Sequence, residues 1–465
     1  MPGLPDVVFV AVFMVALILG GQLTSRDGDL GWHLATGNLI IDTKSLPDAD
    51  TFSHTARGQP VVLSEWLSQL MLALLYRWDG FSAVGIIASG LLAFPWAILA
   101  RSLLRVNHRP LVALPLVFLG AVSSTAHWSV RPQVISWCLA AIVLLVLESH
   151  RTARRESTWS LIPIFLLWSW LHGGFLIGLL VVALHLAGAI MERAWVRARH
   201  LAVALGLALL ATLANPAGLG LHRHLLGVVG DSVYLERIAE YASPNFHNAL
   251  FWPFMVLLAM SIAVFARMPV PSRLTVLTLA GLSLYSSRTI PFFAIAAVPA
   301  ISGAWMTRPT AKPRSTAFQE MHQHVAGGFL SVLAVLGSWL WLGGDQRFAF
   351  SASKFPVDAL AVLASNPPGE RIFNDYAWGG YIELCCSTEI VVFIDGRTDV
   401  FGPDVFNDYL RAIDGKPDWQ AVLDGSGVDW VLIRPDSPLA QILAEIEGWE
   451  WVYADDVAVA FRRAN

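Results

Sequence analysis

Few residues of this chain are suited to chemistry, because only 14% of its 465 residues are charged. Asp27 and Asp29 flank a glycine in an Asp-Gly-Asp triplet, His33 follows, and Asp48, Asp50 and Glu65 lie further along. A carboxylate beside a cavity can take the proton of an attacking hydroxyl as a general base. The same triplet could hold a divalent metal (Mg or Mn) at Asp27 and Asp29, although hard cations need several more oxygen ligands. Arg131 and Arg288 stand in otherwise apolar surroundings, and a guanidinium matches phosphate by forked, charge-assisted hydrogen bonds. His127, His172 before Gly173–Gly174, and Asn215 before Pro216 complete the set.

Each residue also has a structural explanation. The aspartates could be solvated loop carboxylates, Glu65 could favour the start of a helix through its dipole, and Asn215-Pro216 is a common helix stop. Arg131, His172 and Arg288 could sit at interfacial turns. The case for a site therefore rests on where the elements place these residues together.

Those elements are mostly apolar. Hydrophobic residues make up 55% of the chain and mean hydropathy is +0.57, against about 25% charged residues in a soluble domain. Runs long enough to cross about 30 Å of hydrocarbon occur at 7–23, 80–100, 110–126, 133–149, 159–172, 174–191, 200–215, 249–266, 273–287, 290–306 and 326–342. In lipid they must be helices, since an open strand edge cannot be satisfied there. The first lacks a basic flank and a small-residue cleavage site, so it reads as a retained span.

Arginine placement sets the topology. Arg101/Arg105/Arg109, Arg151/Arg154/Arg155, Arg193/Arg197/Arg199, Arg267/Arg273 and Arg308/Lys312/Arg314 mark five short basic connections. The alternating short connections at 127–132, 172–174 and 287–289 hold only Arg131 and Arg288 between them. The positive-inside rule puts the basic set in the cytoplasm. Only one crossing then fits between Asp79 and Arg101, so the apolar segment 63–78 is expected to lie on the outer surface as an interfacial helix. This gives a polytopic α-helical protein of about eleven spans, with the N-terminus cytoplasmic. The expected domains are a transmembrane domain at 1–344, with a long outer loop at 24–79, and an extracytoplasmic α/β domain at 345–465. Asp27, Asp29, His33, Glu65, Arg131, His172, Asn215 and Arg288 all fall on the outer face. Polar groups near membrane depth are costly unless paired or facing water, which makes such a cluster a functional candidate.

The tail alternates strand and helix signals. RIFND, IVVFID and DWVLIRP read as strands, PDVFNDYLRAI and PLAQILAEIEG as helices, and WVYADDVAVAFRR as a closing hairpin or strand. It carries no phosphate loop, CxxC or GxSxG. Cys138 and the adjacent Cys385 and Cys386 make no disulfide framework or zinc motif. A net charge of −4 gives no sign of nucleic-acid binding.

One span, an acidic outer loop, an interfacial helix, many further spans and a soluble tail resemble the GT-C membrane glycosyltransferases. The first hundred residues carry the likeness in pattern, through DGDLGWHLATGNLIIDTKSLPDADTFSHTARGQPVVLSEWLSQLML. The protein mannosyltransferase and aminoarabinose-transferase branch is the most similar. The resemblance implies a plasma (inner) membrane enzyme, without a certain cofactor, that takes a sugar from a polyprenyl-phosphate donor to a glycan, lipid or protein acceptor outside. Asp27 or Asp29 would be its catalytic carboxylate; the family's Asp-Glu pair is Asp-Gly-Asp here, so which one acts stays open. His33, Glu65, Arg131, His172, Asn215 and Arg288 would bind substrate. Residues 374–381, NDYAWGGY, are loosely similar to the WWDYG motif of oligosaccharyltransferases, and a turn role is the simpler expectation. The rival readings are a transporter or flippase for a lipid-linked substrate, or a non-catalytic scaffold. A transporter would show midplane charges and repeated broken helices, and neither is evident.

Overall fold

The computed structural model describes residues 3–26, 28–107, 110–152, 157–230, 240–305, 337, 347–365, 371–386 and 390–464. Asp27 lies outside the described residues, as does the span expected at 326–342 apart from Gly337.

In chain order the main helices of the first part are α1 (Leu4–Leu19), α2 (Asp29–Thr43), α3 (Trp66–Asn107), α4 (Pro110–Ser124), α5 (Gln133–Thr152) and α6 (Leu161–Leu171). There follow α7 (Phe175–Met191), α8 (Trp195–Thr212), α9 (Leu219–Gly230), α10 (Trp252–Val264), α11 (Val270–Tyr285) and α12 (Ile290–Trp305). The tail adds α13 (Val357–Ser365), β1 (Arg371–Asn374), α14 (Gly379–Cys386), β2 (Val391–Val392), α15 (Thr398–Ile413), α16 (Trp419–Gly425), β3 (Trp430–Ile433), α17 (Pro438–Glu445), β4 (Trp449–Ala454) and β5 (Val459–Arg463). Among the described residues six helices are long and apolar enough to cross a membrane, with shorter apolar helices at Leu4–Leu19, Thr158–Leu171 and Phe175–Met191. The continuous helix α3 hides a break: Asp79 (φ −151°) and Gly80 (φ 57°) leave helical geometry and separate 66–78 from the apolar stretch that follows.

The contacts divide the chain into two units. The first comprises Met1–Leu19, Ile86–Trp128 and Pro132–Gly343. Its helices approach through small residues, as expected where lipid supplies no hydrophobic contrast. Gly120 of α4 abuts Val298 and Trp96, Gly178 of α7 abuts Trp168 and Phe165, and Gly188 abuts Pro271. Helix α12 is the most enclosed element, with Phe293, Ile295, Val298 and Ile301 fully buried.

The second unit comprises Gly20–Gly85, Ser129–Arg131 and Gly344–Asn465. The sequence alone divides the chain at 344; the contacts instead group most of the first outer loop with the tail. A five-stranded sheet of order β2-β1-β3-β5-β4 forms its centre, parallel across β2, β1 and β3 and antiparallel across β3, β5 and β4. All four β3 residues are buried, the pattern of a strand covered on both faces. The loop joins this sheet at its β2 edge. His54 N–H donates to Val392 O at 3.0 Å, Val392 N–H donates to Phe52 O at 3.2 Å, and Thr55 Oγ1 donates to Phe393 O. An exposed strand edge is thereby covered. On its other side α2 packs on α14, where Gly31 and Gly380 meet so closely that a Cβ on Gly31 would overlap the Gly380 carbonyl. Residues 66–78 are tied to α2 by Arg77, which donates to Asn38 Oδ1 and Asp42 Oδ1 at 2.7 Å each. The same helix leaves Met71, Leu74 and Trp78 exposed.

Candidate active site

Asp29 is the first residue of α2, with Gly28 at the cap. A carboxylate in a first turn is favoured by the helix dipole. Its Oδ2 accepts a hydrogen bond from Arg131 Nη2, with the two side chains largely enclosed. Gly396 closes the other side, since a Cβ there would overlap Asp29 Oδ1. That Cβ would also lie 3.3 Å from Trp32 Nε1, an indole N–H buried without a hydrogen-bond partner among the described residues. One turn on, His33 Nε2 stands 3.7 Å from Glu65 Oε2, and His33 lies against the Trp32 ring with centroids 3.6 Å apart. Asp29, Arg131, His33 and Glu65 therefore fall into one unit, from three separate stretches of sequence. The dipole role expected for Glu65 is accompanied by this pairing with His33.

The remaining candidates belong to the other unit, where each makes local hydrogen bonds. His172 Nδ1 accepts from Gly174 N–H at 2.8 Å and lies 2.8 Å from Ser136 Oγ, which in turn accepts from Trp168 Nε1 at 2.7 Å. Because a backbone N–H must donate, Nδ1 is an acceptor and a neutral ring carries its proton on Nε2. Asn215 donates to Ser169 O at 2.7 Å and accepts from Ala217 N–H at 2.9 Å, so it joins two helix ends. Arg288 donates to Tyr241 Oη at 2.5 Å, and its guanidinium lies 5.0 Å from the centroid of that ring.

Sequence reasoning missed a buried ionic cluster in the second unit. Arg397 meets Asp50 Oδ1 at 2.9 Å, Asp395 Oδ2 at 2.5 Å and Glu383 Oε1 at 3.3 Å, with all four side chains buried. One cation cannot balance three buried anions cheaply. Burial, then the neighbouring Asp395 charge, pushes Glu383 well above the ordinary carboxylate range, which favours its protonated form. Burial also opposes ionisation of Asp395, but the charge and hydrogen bonds of Arg397 outweigh it and leave Asp395 low. A protonated Glu383 can donate to Asp395. The available signal was the charged Asp395-Gly396-Arg397 directly after an apolar strand. Among the described residues no three His, Cys, Asp or Glu side chains converge in a way that could hold a metal ion.

The 374–381 segment forms a turn. Asp375 caps the one-turn helix Tyr376–Trp378 through Ala377 N–H, and pairs with Arg434 at 3.0 Å. Trp378 is fully buried and donates to Lys354 O.

The chain matches ArnT from Cupriavidus metallidurans bound to undecaprenyl phosphate with a TM-score of 0.54 and 13% identity, over 98% of this chain and 97% of that one. It matches the archaeal oligosaccharyltransferase AglB from Archaeoglobus fulgidus, in complex with an inhibitory peptide and a dolichol-phosphate, with a TM-score of 0.56 and 13% identity. That alignment covers 99% of this chain and 74% of AglB. The chain therefore shares its fold with these proteins. With its long apolar helices, the chain is thus a helical membrane protein. No protein-family model matches the sequence, and a search of curated proteins found no match.

Proposed function

We propose that this GT-C-fold protein is a glycosyltransferase that moves a sugar from a polyprenyl-phosphate donor to an acceptor hydroxyl on the extracytoplasmic side of the plasma membrane. The observation that carries the reading is the Asp29–Arg131 pair at the start of α2, in a fold shared with a protein bound to undecaprenyl phosphate. In the proposed step the acceptor oxygen bonds to the sugar's anomeric carbon from the face opposite the lipid, inverting it. The bond to the phosphate oxygen breaks, polyprenyl phosphate leaves with that electron pair, and the acceptor's proton passes to Asp29. Arg131 is well suited to the phosphate, because a guanidinium can hold two of its oxygens at once. Met71, Leu74 and Trp78, exposed on 66–78, fit a helix lying at the bilayer surface, where the lipid donor would enter.

Asp27 is the second carboxylate of the reading, and His33 and Glu65 are proposed to contact the acceptor or sugar. His172, Asn215 and Arg288 are assigned to shaping the outer ends of their helices, with His172 Nε2–H and Arg288 as additional donors for substrate oxygens. A Mg or Mn ion at Asp27 and Asp29 would compete with Arg131 for the Asp29 carboxylate. No step above needs it.

The test is transfer in proteoliposomes containing undecaprenyl-phosphate-linked sugars and envelope acceptors, with and without EDTA. The reading expects release of undecaprenyl phosphate with at least one donor, a raised donor KM in Arg131→Gln, and transfer retained in EDTA. Absence of transfer with every donor contradicts it. Loss in EDTA with recovery on added Mg or Mn would assign the metal a part.

A further inference from the structure

We propose that Arg397 is a positioning residue for Asp29: with Asp50, Asp395 and Glu383 it fixes the 395–397 turn, and that turn fixes the carboxylate. This rests on the reading of Asp29 as the base, and it gives the C-terminal domain a role in the reaction.

The coupling is short and made of stiff parts. Asp395 and Arg397 flank Gly396, and the Arg397 N–H donates to Asp395 Oδ1 at 2.7 Å, closing a tight turn. The guanidinium then grips Asp395 through Nε, at 3.0 and 3.1 Å to its two oxygens, and through Nη2 at 2.5 Å. Its other ion pairs reach Asp50 in the first outer loop and Glu383 in α14. The strand leading into the turn is held as well: Asn374 donates to Ile394 O at 2.8 Å and accepts from Phe393 N–H at 2.8 Å. Gly396 thus has little freedom to move, and Asp29 Oδ1 lies against it where no side chain could fit. Arg131 takes the other carboxylate oxygen, so the Asp29 carboxylate is gripped from two sides. Close by, α2 rests on the tail by backbone, since a Cβ on Gly28 would overlap Ala377 O and one on Gly380 would overlap Gly28 O or crowd Trp32 N.

A structural cluster with no bearing on Asp29 would change the stability of the tail and nothing else. Arg397→Lys keeps the charge but loses the fork. Gly396→Ala leaves the cluster in place and pushes directly on Asp29. Both are made in the full-length protein in nanodiscs, with Glu450→Gln, at an exposed ion pair with Arg462, as the control. Amide exchange is followed by mass spectrometry, and transfer kinetics are measured alongside. Both variants are expected to exchange faster at residues 28–34 and to lose about 10- to 100-fold in kcat, with donor KM within about twofold of wild type. The control should match wild type. Unchanged exchange at 28–34, or faster exchange confined to residues 371–463, overturns the proposal. A kcat loss equalled by a rise in KM overturns it too. If Asp29→Asn transfers as well as wild type, the base reading fails, whereas the exchange data still decide whether the turn holds the start of α2.

Discussion

His54 offers a quantitative check on the docking of the first loop against the tail. Its Nε2 lies 3.3 Å from Ile372 O and its ring meets Phe393 edge-on, with centroids 5.6 Å apart. Since a carbonyl can only accept, Nε2 carries a proton, and burial of the ring favours its neutral form. Burial lowers the pKa from 6.5 to about 4, against the Ile372 hydrogen bond, with Arg371 adding to the decrease. A group depressed in the folded state contributes stability that is present above its unfolded pKa and lost as pH falls towards the folded one. Between pH 6.5 and 4 the folded protein resists a proton that the unfolded chain accepts. Linkage over those two values makes wild type less stable by about 2 kcal/mol at pH 5 than at pH 7 from this residue alone. For a unit of 150–250 residues that corresponds to a fall in Tm of about 4–8 °C. His54→Gln retains an N–H donor for Ile372 and cannot titrate. Thermal melts of both proteins in nanodiscs at pH 7, 6 and 5, followed by tryptophan fluorescence, should show wild type falling further by that amount. Parallel falls would refute the buried, neutral His54 and the loop seat that requires it.

Two further outcomes test the same unit. Glu383 carries a raised folded pKa, so its contribution is present at low pH and lost as pH rises above the ordinary carboxylate range. Glu383→Gln should therefore gain stability over wild type progressively with rising pH, and a constant difference in Tm across that series would contradict a protonated Glu383. Gly31→Ala would drive a methyl into the backbone of Gly380 and Tyr381, atoms that cannot turn aside as a side chain can. Overpacking of this kind costs about 1–3 kcal/mol, and a Tm equal to wild type in the same melts would show that α2 and α14 are not in such close contact.

The sequence disclosed the parts governed by local rules. The apolar runs give most of the helices to within a few residues: 174–191 appears as Phe175–Met191 and 290–306 as Ile290–Trp305. Segment 63–78, separated from a span by counting arginines, ends at the Asp79–Gly80 break. DWVLIRP holds the buried strand Trp430–Ile433. What depended on distant partners was not legible. Asp50 looks like a loop carboxylate until Arg397, remote in sequence, is placed beside it. IVVFID reads as a full strand, yet only Val391–Val392 pairs with β1, because beyond it Thr55 Oγ1 and the Asn374 side chain take the backbone hydrogen bonds of Phe393 and Ile394. His172 and Asn215 drew notice as polar residues in apolar surroundings, and much of their polarity goes to backbone groups at helix ends. The sequence suggests a phosphate partner for Arg131 but gives no sign of its pairing with Asp29, because a spacing of that length carries no signal in a single sequence.

The central claim is that Asp29 removes the acceptor's proton, and the measurement that reaches it most directly is single-turnover sugar transfer by Asp29→Asn against wild type, with Asp27→Asn in parallel. Asparagine preserves size and can still accept a hydrogen bond from Arg131, but it cannot serve as the base. The account predicts a loss of about 10²–10⁴-fold in the transfer rate for Asp29→Asn, with donor binding retained and a smaller loss for Asp27→Asn. Transfer by Asp29→Asn at the wild-type rate would contradict it.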